Sequence, residues 1–424
     1  MLASAQVALD VIAEKGESAP GTASTFNGFG VPATNGSSEV TFQADLSDGE
    51  TGIWGPDGLG GLERVAETGQ AAPGAPAGDT FLSFSDPLLN AAGQVAFEAE
   101  LDVAVARSYR WGIWKTDGAG SLGLVARGGA NAPGLLFGEE FTNLLGQPVF
   151  NDLGDVAFHA QTNTSPLEDT GIWGPSPFTG VLSLIARKGS PAPDKPIGDI
   201  PDAVFSQFTS EPVLNDNRDV AFSALLADDP TVPGTTVTTS NDEGIWGRVP
   251  LRLVVREGDP APAVGTNISI FSIRPPVINT NRDIAFVTTL SGNVTPGIND
   301  RVLWMDLGSG GLIPVARSGD PAPGAPPGTI FSGFGDPLIT DNGDVVFVAH
   351  LASTGGLYSE GVWRIDSGGS ATLVSLAGKP APGTDGEKFS SYYPPSANQY
   401  GDVAFLGRLD TASPDVNPEN YEGI

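Results

Sequence analysis

Apolar residues along this chain fall in short runs separated by Gly, Pro, Asn and Asp, and the runs recur. One recurring run is Gly-Ile-Trp or a near variant, ending at Trp54, Trp114, Trp173, Trp246, Trp304 and Trp363. The intervals are 58 to 60 residues, stretched to 73 between Trp173 and Trp246. A second run, Asp-Val-Ala-Phe or a variant, ends at Phe42, Phe97, Phe158, Phe222, Phe286, Phe347 and Phe405. A third, resembling Val-Ala-Arg-x-Gly-x-x-Ala-Pro-Gly, begins near Val11, Val65, Val125, Ile185, Val254, Val315 and Val374. The second and third marks thus occur seven times each. No unit keeps an apolar 3.6-residue period over ten or more positions, which argues against helical repeats.

Each unit reads as four short strands. The first ends in Pro-x-x-Asn, as at Pro87 to Asn90, and a tight turn such as Asn151-Asp-Leu-Gly154 follows. The second is the Asp-Val-Ala-Phe run, the third ends at the Trp, and the fourth is the Leu-x-Leu-Val-Ala-Arg run. Runs apolar on both faces, such as Val220 to Leu226, suit strands sandwiched between neighbouring sheets. Four-stranded units in sevenfold repetition predict an all-β fold: one seven-bladed β-propeller spanning residues 1–424. The blades are expected near 22–70, 78–130, 138–190, 203–259, 267–320, 329–379 and 387–424, the last completed by residues 5–15. The chain starts at a fourth strand, Val7 to Glu14, and stops at Ile424, where a third strand would reach its Trp. The expectation is that the N-terminal strand closes the last blade and removes a free sheet edge.

Composition narrows the chemistry. The 424 residues include 57 Gly and 36 Pro, favouring turns over long helices, and no run is long and apolar enough to span a bilayer as a helix. With no Cys, disulfides, thiolate metal sites and a Cys nucleophile are excluded; with only His159 and His350, so is a three-His metal site. A net charge of −29 repels the phosphate backbone, so no nucleic-acid partner is expected. Ala3-Ser4-Ala5 has the small-residue form of a signal-peptide cleavage site, and the expectation is that its basic and apolar regions lie upstream of this sequence.

The turn reads Asn-x-x-Gly-x-x-Ala-Phe at Asn90/Gly93/Ala96/Phe97, Asn151/Gly154/Ala157/Phe158 and Asn398/Gly401/Ala404/Phe405. Arg218 and Arg282 replace the Gly in two copies, Thr340 and Val346 alter a third, and the first copy, Asn35 to Phe42, is degenerate. The pattern resembles the bacterial secreted proteins with a tandem NxxGxxAF repeat and varied C-terminal surface anchors. That resemblance covers nearly the whole chain. It implies an exported, extracellular or cell-surface protein and carries no defined activity.

In this arrangement, the loop entering each first strand and the loop between second and third strands share one face. The second kind varies most, reaching from Ser223 to Glu243, so this face is the expected binding side. Asp86, Gln147, Glu211 and Asp336 stand just before the Pro of the first strand and could converge on a ligand or on Ca²⁺; capping of loop amides is the simpler reading. The Asn/Asp turns at 151–155, 215–219 and 341–344 lack the twelve-residue Ca²⁺ loop, and their side chains suit bonds to their own backbone. Arg127, Arg187, Arg256 and Arg317 could line an anionic-sugar site, but recurrence at one repeat position points to ion pairs or carbonyl caps. The repeated Trps read as core. Trp111, with Tyr109 two residues before it, lies near a variable loop and could stack on a sugar ring.

No catalytic residues are assigned: neither His can be paired with a Tyr, and no nucleophile elbow, phosphate loop or zinc motif occurs. No cofactor is expected, with Ca²⁺ the one ion the acidic groups suit. The leading expectation is a non-enzymatic exported interaction or structural module that binds a protein or glycan through one face. The alternatives are a polysaccharide lyase or hydrolase at the channel mouth and a Ca²⁺-dependent assembly protein.

Overall fold

The computed structural model describes residues 11–423 except 105–108, 195–198, 233–236, 309–310, 354–355, 357, 399–400, 412–415 and 417–420. The fold class is all-β, of the β-propeller type; no α-helix occurs among the described residues. The chain divides into two compact units, residues 1–164 with 181–184, and residues 165–180 with 185–424.

The first unit shows the design. In its first repeat the strands are Phe26–Phe29, Val40–Leu46, Thr51–Pro56 and Leu62–Glu67, hydrogen-bonded in that order as an antiparallel meander. The predicted first strand is broken: a two-residue piece, Ala33–Thr34, pairs with the same second strand beyond a bend at Val31-Pro32. Proline there removes an amide and fixes φ, which interrupts the ladder at the sheet edge where interruption costs least. The second repeat copies the plan with Thr80–Phe84, Leu88–Leu89, Val95–Asp102, Trp111–Thr116 and Leu122–Arg127. The third straddles the unit boundary.

In the second unit the plan recurs around Val220–Asp228, Ile284–Gly292 and Val345–Ala352 as second strands. An extra strand, Pro191–Pro193, adds to the edge of the fourth sheet. The final repeat is reduced to a three-stranded piece, Phe389–Tyr392, Gly407–Leu409 and Glu422–Gly423, and a separate pair, Ser396–Ala397 with Val403–Ala404. Of the strand expected at Val7 to Glu14, residues 7–10 lie outside the described residues and Val11 to Glu14 form no strand.

Sheets stack face to face within each unit. Phe81, Phe97 and Trp114 of the second sheet pack on Ile53 and Ala66 of the first. Phe331, Phe347 and Trp363 pack on Val287 and Leu303 of the preceding sheet. Each cluster repeats one geometry: Phe81 meets Trp114 edge-on at 5.0 Å, as Phe331 meets Trp363, and Phe97 stacks on Trp114 at 6.4 Å. The indole N–H leaves the core to reach the carbonyl of the Pro in the repeated Ala-Pro segment: Trp114 to Pro73, Trp246 to Pro193 and Trp363 to Pro323, each at 2.9 Å. This explains the Gly before Ile-Trp, because a Cβ on Gly112 would lie 2.4 Å from the Trp114 ring.

The fifth repeat departs in a correlated way. Val302 stands where the others have that Gly, paired across strands with Thr288 instead of Ala. A Val side chain excludes the usual indole position, and the Trp304 N–H instead donates to Thr288 Oγ1 at 2.7 Å. Ile270 and Ile273 take the places of the two Phe residues, so all four substitutions describe one repacked cluster.

The Asn turn joins successive sheets. Asn90 Oδ1 accepts from the amides of Ala92 and Gln94, while its Nδ2 donates to the Gln94 side chain and to the carbonyl of Asn151 in the next repeat. Asn35 donates likewise to the Asn90 carbonyl, Asn215 to Asn279 and Asn279 to Thr340. The Gly three residues later has positive φ, 75° at Gly93. Arg218 and Arg282 adopt φ of 64° and 71° at this position. Arg282 reaches back to Asp219, whose carboxylate is fully buried, at 2.9 Å.

Candidate functional site

Every sheet has two unlike ends. At one, the second strand turns back from the first and the fourth from the third through tight turns. At the other lie the second-to-third loops and the Pro-rich loops leading into the next first strand. The former loops differ most, from residues 47–50 in the first repeat to 229–242 in the fourth. Several carry a projecting apolar side chain: Leu167 is 69 % exposed and Ile298 54 %. Each sits on a short capped turn. Ser165 accepts from Glu168, and Ile298 and Asn299 donate to the Thr295 carbonyl. Val232 occupies the same kind of place in the fourth repeat, and in the first unit Leu136 and Phe137 project from a Pro-rich loop, Phe137 being 95 % exposed. Leu59 and Phe178 are exposed at the opposite, short-turn end.

The residues singled out from sequence take different places. Trp111 is a correction: its indole is buried, packs edge-on to Phe141 at 6.0 Å and donates to the Thr142 carbonyl. An apolar ring beside Phe141 is worth more covered than facing water, so it offers no stacking platform. Tyr109 is half-buried against Gly128. Asp86, Gln147, Glu211 and Asp336 are exposed, one per repeat. Asp86 accepts from the Val31 amide of the preceding repeat at 3.2 Å, and Asp336 pairs with Arg274 of the preceding repeat at 2.8 Å. Asp86 thus caps a loop amide of its neighbour, and Asp336 pairs with a neighbour's guanidinium.

The repeated arginines cap carbonyls. Arg187 donates to Glu168 O and Arg317 to Asn299 O, both at 3.0 Å, Arg256 to Asn241 O at 2.5 Å, and Arg127 to Gly128 O at 2.9 Å. His159 and His350 stand on equivalent strands in different settings. Burial holds the His159 imidazole down to about 4, whereas His350 is exposed and faces Glu360 at 3.2 Å. Among the described residues no group of three or more His, Cys, Asp or Glu is arranged to hold a metal ion. A cleft of about 400 Å³ lies where loop 324–326 meets strand Ala371–Leu376, and a smaller one of about 280 Å³ recurs at Ala263 and Pro314. Recurrence at the same repeat position marks these clefts as a product of the scaffold.

Sequence reading missed a carboxyl cluster at the base of the longest loop. Glu257, only 7 % exposed, adjoins Asp242 and Glu243 on the neighbouring strand end. Burial pushes its carboxyl up to about 7, helped by the neighbouring carboxylates of Asp242 and Glu243. Burial also raises Glu243, although its Oε2 accepts from the Ile273 amide at 2.9 Å. The available signal was positional: the residue that follows each fourth strand is Thr68, Gly128, Lys188, Glu257, Ser318 or Ala377, and one of these is an acid.

Matches to one family model cover residues 2–131, 119–320 and 250–424. The chain belongs to DUF7453, a family of unknown function. A search of curated proteins finds no match to this DUF7453 chain. Among solved structures it is similar to the polysaccharide lyase Uly1, with a TM-score of 0.38 and 12 % identity over 91 % of this chain and 84 % of the lyase. It is also similar to the Dos1 propeller, at 0.34 and 8 % over 91 % and 76 %. A third is a PL25 ulvan lyase, at 0.31 and 11 % over 91 % of each chain.

Proposed function

We propose that this DUF7453 chain is a non-enzymatic, exported binding module that engages a protein partner through the loop-bearing ends of its sheets. The observation carrying this reading is the set of aliphatic and aromatic side chains held outward at those ends: Leu136 and Phe137 in one unit, Leu167, Val232 and Ile298 in the other. Such side chains lose water only against another apolar surface, and projecting them from capped turns prepays part of the ordering cost of binding. The burial of Trp111 takes away the aromatic platform on which a glycan reading stood. Export rests on the Asn-x-x-Gly-x-x-Ala-Phe turns and the resemblance they carry.

The test compares binding of the purified chain to surface fractions of the producing cell. Two loop-end variants, Leu136→Asp/Phe137→Asp and Leu167→Asp/Val232→Asp/Ile298→Asp, are set beside a short-turn control, Leu59→Asp/Phe178→Asp. Loss of at least one loop-end interaction with the control unchanged supports the proposal. Loss in the control alone overturns it. So does release of unsaturated or reducing sugar ends from acidic polysaccharides, which would make the chain a lyase or hydrolase, or binding abolished by chelation, which would make it a Ca²⁺-dependent assembly protein.

A further inference from the structure

The six described repeats with a complete third and fourth strand place the same two positions side by side at the loop end. The first lies two residues before the Gly of Gly-Ile-Trp: Glu50, Arg110, Asp169, Asp242, Asp300 and Ser359. The second follows the last residue of the fourth strand, which is Arg in four repeats, Glu67 in the first and Leu376 in the sixth: Thr68, Gly128, Lys188, Glu257, Ser318 and Ala377. The backbone joint is constant, for the amide of the second position donates across to the third strand in each repeat, at 2.9 Å from Thr68 to Thr51 and 2.8 Å from Glu257 to Glu243. Beside Glu50, Asp169 and Asp300 the second position is Thr, Lys or Ser, each of which carries a donor, although Ser318 does not reach Asp300, whose Oδ1 is buried without a partner among the described residues; beside Arg110 and Ser359 it is Gly or Ala. Thr68 Oγ1 donates to Glu50, and Lys188 Nζ to Asp169 at 3.1 Å. In the fourth repeat the donor position is filled by Glu257, an acid, facing the acid Asp242.

We propose that Glu257 serves as a protonated donor to Asp242 and that this shared proton latches the base of the longest loop, making the fourth repeat's loop end sensitive to pH. This rests on the proposed role of that end in binding and supplies its regulation. An ionised Glu257 cannot do what Thr68 and Lys188 do; it opposes Asp242 and Glu243 instead. The other charges at the joint do not replace the proton. Arg256 is the nearby cation, but its Nε is committed to the Asn241 carbonyl, and it is shared among Asp259, Asp194 and Asp242. What the latch holds is the return of the loop: Leu226 N–H donates to Asp242 O at 2.7 Å, and Thr238 and Asn241 close a turn on each other at 2.7 and 2.9 Å. With the Glu257 carboxyl raised to about 7, the latch is closed below neutrality and opens above it.

Amide hydrogen exchange of the whole chain tests this without any partner, so its outcome does not depend on whether the loop end binds anything. Protection of the amides at Leu226 and 237–243, corrected for intrinsic exchange, is followed from about pH 5 to about pH 9. The wild type loses about tenfold protection or more with a midpoint near 7, while segments elsewhere stay flat. Glu257→Gln keeps a donor without a titration, and Glu257→Lys reproduces the Lys188–Asp169 pair; both hold protection across the range. A wild type flat in this window overturns the proposal, as does a Glu257→Gln or Glu257→Lys protein that keeps the wild-type midpoint. Thermal denaturation of each variant confirms folding, and the two substitutions are independent of each other.

Discussion

Asn279 uses both ends of its side-chain amide at once, accepting from Asp283 N–H at 2.8 Å and donating to Thr340 O at 3.0 Å. Replacing it with Ala strands buried backbone groups on two repeats, so Asn279→Ala should cost about 2–3 kcal/mol by denaturant titration, with Asn279→Asp losing less because the acceptor survives. Arg282 is the opposite case, a local strain kept for a distant contact. Its positive φ costs about 1–2 kcal/mol that Gly would recover. Yet Arg282→Gly leaves the buried Asp219 without its cation, so the single variant should be less stable than wild type. Adding Asp219→Asn should then restore stability beyond the wild type in a double-mutant cycle. His159 gives a pH signature. Its folded value of about 4 lies below the ordinary 6.5, so its contribution is complete above 6.5 and is lost as pH falls toward 4. His159→Gln should flatten that acid limb, by up to about 3 kcal/mol.

Among the elements, the third strand sets the packing rule, because the Gly two residues before each Trp decides where the indole can lie. A Cβ on Gly361 would sit 2.6 Å from the Trp363 ring, so Gly361→Val should cost about 1–3 kcal/mol or more through overpacking. The fifth repeat shows how the cost is removed: with Thr288 opposite Val302 the indole has a new acceptor. Gly361→Val combined with Ala349→Thr should therefore recover part of the loss, and Phe331, where the fifth repeat has the smaller Ile270, sets how much. Thermal unfolding of the two variants measures this. Much at this scale was legible from sequence, because a Trp at intervals of 58 to 60 residues, with one stretch of 73, and a Phe in each second strand report a single packing unit. The break in the first strand at Val31-Pro32 was not read, although Pro in an edge strand carried the signal. Trp111 was misread because proximity to a variable loop says nothing about which face of a strand a side chain takes. The carboxyl cluster stayed hidden because Glu257 becomes unusual only when equivalent positions of all repeats are set side by side.

For the molecule as a whole, charge acts on stability apart from the repeats. A net charge of −29 spread over exposed acids works against compactness, and salt relieves it over a Debye length of about 10 Å at 0.1 M. Raising NaCl from about 10 mM to about 0.5 M should raise the melting temperature by about 2–4 °C, read by far-UV circular dichroism. A fall would mean that ion pairs such as Arg248–Asp306, 2.5 Å apart and buried, outweigh the repulsion.

The asparagine joint has a consequence for how such a chain can change over generations. Its acceptor in the neighbouring repeat is a main-chain carbonyl, supplied equally by Asn151, Asn279 and Thr340. Whatever side chain a neighbour acquires, the carbonyl stays. A repeat can therefore drift in its loops, or even lose its own asparagine as at Thr340, while the preceding repeat remains moored. Duplicated copies are thus free to diversify one at a time, without matched changes on both sides of the seam, and a family with one scaffold and many loop surfaces is the outcome to be expected.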